Sequence, residues 1–116
     1  MKKTFLLLAC CAFFFASCTT TSKALYSWHN YEDASYQYQK KGSDELFAKA
    51  MAEYLKVIEK QRGTRKTVPP GLNAEYGYML YKSGKAAEGI AFLKKEIALY
   101  PESEVYISRI IKQLEQ

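Results

Sequence analysis

Residues 73–84 read NAEYGYMLYKSG and residues 31–42 read YEDASYQYQKKG. Placed over one another at an offset of 42, they align Ser35 with Gly77, Tyr36 with Tyr78, Tyr38 with Leu80, Lys40 with Lys82 and Gly42 with Gly84. Small, aromatic, apolar and glycine roles recur in order, and an amphipathic helical pattern follows each block. A repeated helical hairpin accounts for that recurrence.

Outward from these blocks the chain reads as helix after helix, with no strand-like alternation. Asp44 to Gln61 carries Leu46, Phe47, Ala50, Met51, Tyr54, Leu55 and Ile58 at spacings of three and four, an amphipathic helix. Ser43 is placed to cap it, Asp44 and Glu45 suit the positive end of its dipole, and Lys60 and Arg62 lie at its other end beside Gly63. After the polar stretch GTRKTV (63–68), Pro69-Pro70 are expected to open the next helix by presetting φ in its first turn. Helices are predicted over residues 70–82, 86–99 and 103–115, with short connections suited to antiparallel neighbours.

Residues 70–103 resemble a tetratricopeptide repeat. With Pro101 at the closing proline, Gly77 takes the small first-helix position, Leu80 the apolar one, Gly84 the turn, Gly89 the small second-helix position and Leu93 the bulky one. Two glycines where paired helices cross permit close approach, and Tyr76, Leu80, Ile90, Leu93 and Ile97 are expected to fill the seam. Asn73 stands where that repeat has Trp, and Glu96 where it has a second small residue. The resemblance implies an all-α fold over residues 25–116, helical hairpins stacked as a short tetratricopeptide-like right-handed solenoid. About two and a half repeats are present, against the three usually needed for a stable stack. The last helix, with Val105, Ile107, Ile110, Ile111 and Leu114, then either caps the stack or offers an apolar edge to a partner or a second copy; Ser108, Arg109, Lys112, Gln113 and Glu115 favour capping.

In that fold the first helices of successive hairpins line a groove. The repeat alignment places Tyr36, Gln39, Tyr78, Tyr81 and Lys82 there, with Val105, Ser108 and Lys112 from the last helix. Tyrosine gives contact area at low entropic cost together with a hydroxyl to pair. Packing between helices is the competing reading for Tyr36 and Tyr78. A second candidate surface is the basic loop KQRGTRK, with Lys60, Arg62, Arg65 and Lys66, suited to anionic headgroups or an acidic partner face but equally to plain solvation. It lacks the second glycine and the Gly-Lys-Ser/Thr of a phosphate-binding loop.

At the N-terminus, Lys2 and Lys3 precede an apolar run, TFLLLACCAFFF (4–15), and the small pair Ala16-Ser17 precedes Cys18. This is the pattern of a lipoprotein signal peptide, residues 1–17, with acylation at Cys18 and a lipidated tether over residues 18–24. The run is shorter than the roughly 20 residues a membrane-crossing helix needs. Cleavage at the similar LLAC string would leave an apolar run below the usual minimum of about 7. Two or more acyl chains anchor stably where one does not. Thr19, where an aspartate would favour the inner membrane, and the non-acidic TTTSK tether point to a periplasm-facing protein of the outer membrane.

Removal of the signal leaves 99 of the 116 residues, one small domain, and lowers the formal charge from +5 to +3, too mild for a nucleic-acid partner. Cys10 and Cys11 leave with the signal, so no disulfide or thiolate metal site is expected, and the lipid on Cys18 is the only attached group. His29 is the sole imidazole, and the acidic pairs sit at predicted helix starts, where the dipole explains them; a catalytic set is not expected. Tyr26, Trp28 and Tyr31 either pack over the first hairpin or rest at the membrane interface.

The chain after its signal also resembles an uncharacterised family of bacterial envelope lipoproteins with tetratricopeptide-like helices, through LYSWHNYEDASYQYQKKG (25–42), IEKQRGTRKTVPPGLNAEYGYMLYKSGK (58–85) and LKKEIALYPESE (93–104). That resemblance implies a protein-binding module accessory to an envelope secretion or transport assembly, with a lipoprotein similar to the curli-type secretion-channel subunit as partner. The alternative is a structural lipoprotein holding anionic lipid or peptidoglycan through the basic loop.

Overall fold

In the computed structural model, which describes Met1 and residues 23–116, the chain is all-α. Among the described residues the helices are α1 (Tyr31–Lys41), α2 (Asp44–Glu59), α3 (Leu72–Lys82), α4 (Ala86–Leu99) and α5 (Glu104–Leu114), with a 3-10 turn at Pro101–Ser103 before α5. The expected signal peptide beyond Met1, and Cys18 with it, lie outside the described residues.

Local chemistry sets most of these boundaries. The α1 helix stops at Gly42, whose φ of 67° is left-handed and whose N–H returns to the Tyr38 carbonyl. The Ser43 side chain accepts the Leu46 N–H and so caps α2, as its position in the sequence predicts. Gly84, at φ 93°, turns the chain between α3 and α4.

Two boundaries differ from expectation. The α2 helix ends at Glu59 instead of reaching Gln61, because the Gln61 amide is engaged elsewhere: its Nε2 donates to the carbonyls of Val57 (2.8 Å) and Ser27 (2.9 Å), and its Oε1 accepts the Ser27 N–H (2.9 Å). The prolines do not open α3. Pro69 and Pro70 form a turn closed by the Leu72 N–H on the Pro69 carbonyl, and Gly71, at φ 88°, reverses the chain before the helix starts at Leu72.

Helices adjacent in sequence are adjacent in space, and α3 with α4 is the closest pair. A Cβ on Gly77 would lie 2.6 Å from the Gly89 carbonyl oxygen, and one on Gly89 would lie 2.5 Å from that of Gly77. The two backbones therefore touch where the sequence places glycine on both. Tyr54, Val57, Leu72, Tyr76, Leu80 and Phe92 form one buried cluster joining the two hairpins. Leu93 is fully buried as expected, whereas Ile90 and Ile97 are half-buried and Phe92 takes the seam position instead.

An unbroken series of rings crosses this core. Tyr26, Trp28, Tyr31, Tyr54, Tyr76 and Phe92 follow one another with centroids 6.2, 5.5, 4.8, 6.2 and 4.7 Å apart. Most are edge-on or tilted, the arrangement the ring quadrupoles prefer. Tyr31 thus joins the hydrophobic core, and Tyr26 and the exposed Trp28 extend the ring series beyond it.

Candidate functional site

Alternate helices leave space between them. The α1, α3 and α5 helices are not packed on one another at close backbone range, and two clefts open on either side of α3. The first, of about 580 Å³, lies between α1, α2 and α3 and is walled by Tyr38, Gln39, Phe47, Met79 and Lys82 among others. The second, of about 670 Å³, lies between α3, α4 and α5 over Leu93, Ile107 and Ile110. Glu75 and Tyr78 line both and form the ridge that separates them.

Of the residues the repeat alignment assigns to a groove, Gln39, Tyr78 and Lys82 come together here, with Tyr78 45% exposed. Tyr36 is 57% exposed but lines neither cleft; the Lys40 ammonium sits 5.7 Å from its ring centre. Tyr81 is half-buried and its hydroxyl donates to the Leu114 carbonyl, so it ties α3 to the end of α5. Ser108 and Lys112 are exposed and line neither cleft. The α5 helix is turned so that Ile107 is buried on α4, which presents Tyr106, Ile110 and Gln113 to the second cleft in their place. Val105, expected on that face, is 67% exposed and outside both walls.

Between the clefts and the core, charge is handled by hydrogen bonding. The Tyr31 hydroxyl donates to Glu75 Oε2 at 3.0 Å and links α1 to α3 across the first cleft. Burial, followed by the Glu75 carboxylate, raises the Tyr54 hydroxyl far above the ordinary tyrosine range; burial likewise raises Tyr31, Tyr76 and Tyr100. Glu96, the departure from the small residue of the repeat, is 2% exposed. Its Oε1 accepts the Gly71 N–H at 2.6 Å, while its Oε2 is buried with no hydrogen-bond partner among the described residues.

The basic loop has a neighbour that composition does not show. Residues 24–27 lie along it: Thr64 N–H donates to the Ala24 carbonyl (3.0 Å), Arg65 N–H to that of Leu25 (3.2 Å), and Arg62 N–H to Ser27 Oγ (2.9 Å). Gly63 is essential to this, since a Cβ there would sit 2.2 Å from the Leu25 carbonyl oxygen. His29, at φ 50°, donates from Nε2 to the Lys60 carbonyl at 3.1 Å. Lys60, Arg62, Arg65 and Lys66 remain exposed, and among the described residues none of the four forms an ion pair. Gln61, Gly63, Glu96 and Tyr106 are thus site-shaping residues that sequence reasoning left out; only the uncommon Glu at 96 signalled itself.

The family model described as "Domain of unknown function (DUF4810)" matches residues 25–110. The chain belongs to this family. The DUF4810 match opens at Leu25, whose carbonyl holds the basic loop, and closes within α5, so it takes in the first cleft, most of the second and the N-terminal clamp apart from Ala24. Comparison with curated proteins and with solved structures found no match. Among the described residues of this DUF4810 chain, no helix is long and apolar enough to cross a membrane, and no group of three or more His, Cys, Asp or Glu side chains could hold a metal ion.

Proposed function

We propose that this DUF4810 protein is a lipid-anchored, periplasm-facing outer-membrane protein whose clefts bind another envelope protein, as an accessory of a secretion or transport assembly. The two hairpins are read as the start of a tetratricopeptide-like right-handed solenoid, with α5 as its capping helix and α1, α3 and α5 as the groove-lining set. The carrying observation is the ridge at Tyr78 and Glu75, an exposed tyrosine between two clefts on the face where alternate helices stay apart. A large aromatic ring flanked by two concave surfaces is the kind of anchor that binding energy concentrates on once a partner covers it. The reading is one of binding, and it assigns no residue a catalytic role.

The test is photocrosslinking in native cells, with a photoreactive side chain at position 78 and a control at exposed Ala91 on α4. A stoichiometric adduct with one envelope protein from position 78 alone is expected. Adducts only with lipid or with the protein itself, or equal adducts from both positions, would remove the groove reading.

A second reading draws on the clamp. Five residues lie between Cys18 and Ala24, a reach of at most about 22 Å, so acylation at Cys18 would hold the basic loop near the membrane. Lys60, Arg62, Arg65 and Lys66 would then add headgroup attraction of about 1 kcal/mol each near an anionic surface. Replacing Arg62, Arg65 and Lys66 by Ala should leave retention on neutral vesicles intact and remove most of the extra retention on anionic ones. Unchanged retention on both rejects this role.

A further inference from the structure

The protein carries a formal charge of +5, yet among the described residues its second cleft is lined by three carboxylates and by no lysine, arginine or histidine. Glu75 stands on the ridge, Glu102 at the rim in the 3-10 turn, and Glu96 in the wall contributed by α4. Three tyrosines, 78, 100 and 106, line the same space. Tyr106 is 69% exposed, which leaves its ring open to a ligand in the cleft.

Glu96 separates this cleft from an ordinary acidic surface. A buried carboxylate is costly unless its oxygens are satisfied. Gly71 supplies one hydrogen bond, and among the described residues the second oxygen has none. Desolvated and with one oxygen unpartnered, the carboxyl group leaves an acceptor open in the wall, and a cationic donor reaching it would interact through protein more than through water, where a given separation carries a stronger field. Tyrosine faces add the attraction of a ring quadrupole for a cation. The apolar floor of Leu93, Ile107 and Ile110 suits an aliphatic stem.

We propose that this cleft receives a lysine or arginine side chain from a partner segment laid across α3 and α5, its stem on the isoleucines and its charged head among Glu96, Glu102 and the tyrosines. The inference rests on the groove reading for the origin of that segment, but the cation site can be measured without the partner. It makes the partner's contacting segment basic, the opposite of what the basic loop would select.

The experiment uses the full-length chain in detergent, labelled with 3-fluorotyrosine, with the resonances of Tyr78 and Tyr106 assigned by substitution with Phe. The probes are n-butylammonium, as the lysine side chain alone, and pentanamide, a neutral molecule of similar size, at constant ionic strength. A five-heavy-atom ligand binds weakly, so saturation is expected at millimolar concentration. Butylammonium should shift Tyr78 and Tyr106 and saturate, with pentanamide at least fivefold weaker. Glu96→Gln, which keeps an acceptor for Gly71, should weaken butylammonium at least fivefold, and Glu102→Gln should weaken it measurably should Glu96→Gln not fold. Equal binding of the two probes, shifts that do not saturate, or affinity unchanged in a folded variant would overturn the cation site. A crosslink from position 78 beside a failed titration removes the cation site and keeps the groove; saturation without a crosslink keeps the site and removes the groove.

Discussion

Gly77 and Gly89 show how much one missing atom decides. Each faces the other's carbonyl oxygen across the α3–α4 crossing, and a methyl group on either would stand closer to backbone than Cβ atoms do. Backbone cannot yield as a side chain tip does. Gly77→Ala gains up to about 1 kcal/mol of helix propensity but forces the helices apart, and overpacking costs about 1–3 kcal/mol. Net destabilisation of about 1–2 kcal/mol is expected, read as a lower urea midpoint with an unchanged slope. A second prediction at this scale concerns Tyr31, Tyr54, Tyr76 and Tyr100, whose hydroxyls burial pushes upward. Below pH about 10 both folded and unfolded chains keep these protons, so the contribution to stability is fully present. As pH rises further the unfolded chain releases protons that the folded one retains, so stability falls. Phenolate absorbance should show this buried set ionising together with loss of helix. Ionisation of all ten tyrosines with the helical signal intact would contradict it.

Among the elements, the N-terminal segment is held by the backbone of the basic loop and by several side chains, Gln61 foremost. Gln61 exchanges two hydrogen bonds with the Ser27 backbone and makes a third to Val57, in effect pairing the segment as a strand neighbour would. Gln61→Ala should cost about 1–3 kcal/mol, the range for losing partners of partly buried polar groups. The loss should be local. Amide exchange at Ser27, Thr64 and Arg65 should accelerate and Trp28 emission move to longer wavelength, with α3 and α4 unchanged. If exchange rises evenly across the chain, the segment is part of the core's cooperative unit instead. The helices themselves were legible because their signals are local: Ser43 followed by Asp44 and Glu45, Gly42 and Gly84 past helix ends, and stripes at three and four residues. Gln61 reads as helical for the same reason, since nothing within its own turn reveals a partner at residue 27.

At the scale of the whole molecule, stability should decline toward α5. That helix packs on α4 and the 3-10 turn, buries only Ile107 completely, and is tied to α3 by the Tyr81 hydroxyl on the Leu114 carbonyl. Tyr81→Phe should therefore cost about 1 kcal/mol and speed amide exchange in α5 more than in α2, a ratio that exchange measured by NMR would give directly. Equal acceleration in both would show that α5 unfolds only with the rest. The same end of the molecule carries the second cleft, so a partner seated there would protect α5 most.

Helix positions, hairpin pairing and the glycine crossing can all be read along the chain, because each rests on neighbours three or four residues apart or on a turn too short to permit another arrangement. The clefts and the clamp rest on contacts between residues far apart in sequence: Tyr31 with Glu75 at 44 residues, Ser27 with Gln61 at 34, Gly71 with Glu96 at 25. No periodicity encodes those. Repeat alignment put Ser108 and Lys112 on the groove side, yet the rotation of α5 is set by where Ile107 finds buried space on α4, and a turn of one position brings Tyr106 and Ile110 round instead. Side-chain identity specifies which helices form; the packing of their apolar faces sets the rotation of each, and with it the residues that meet across a cleft.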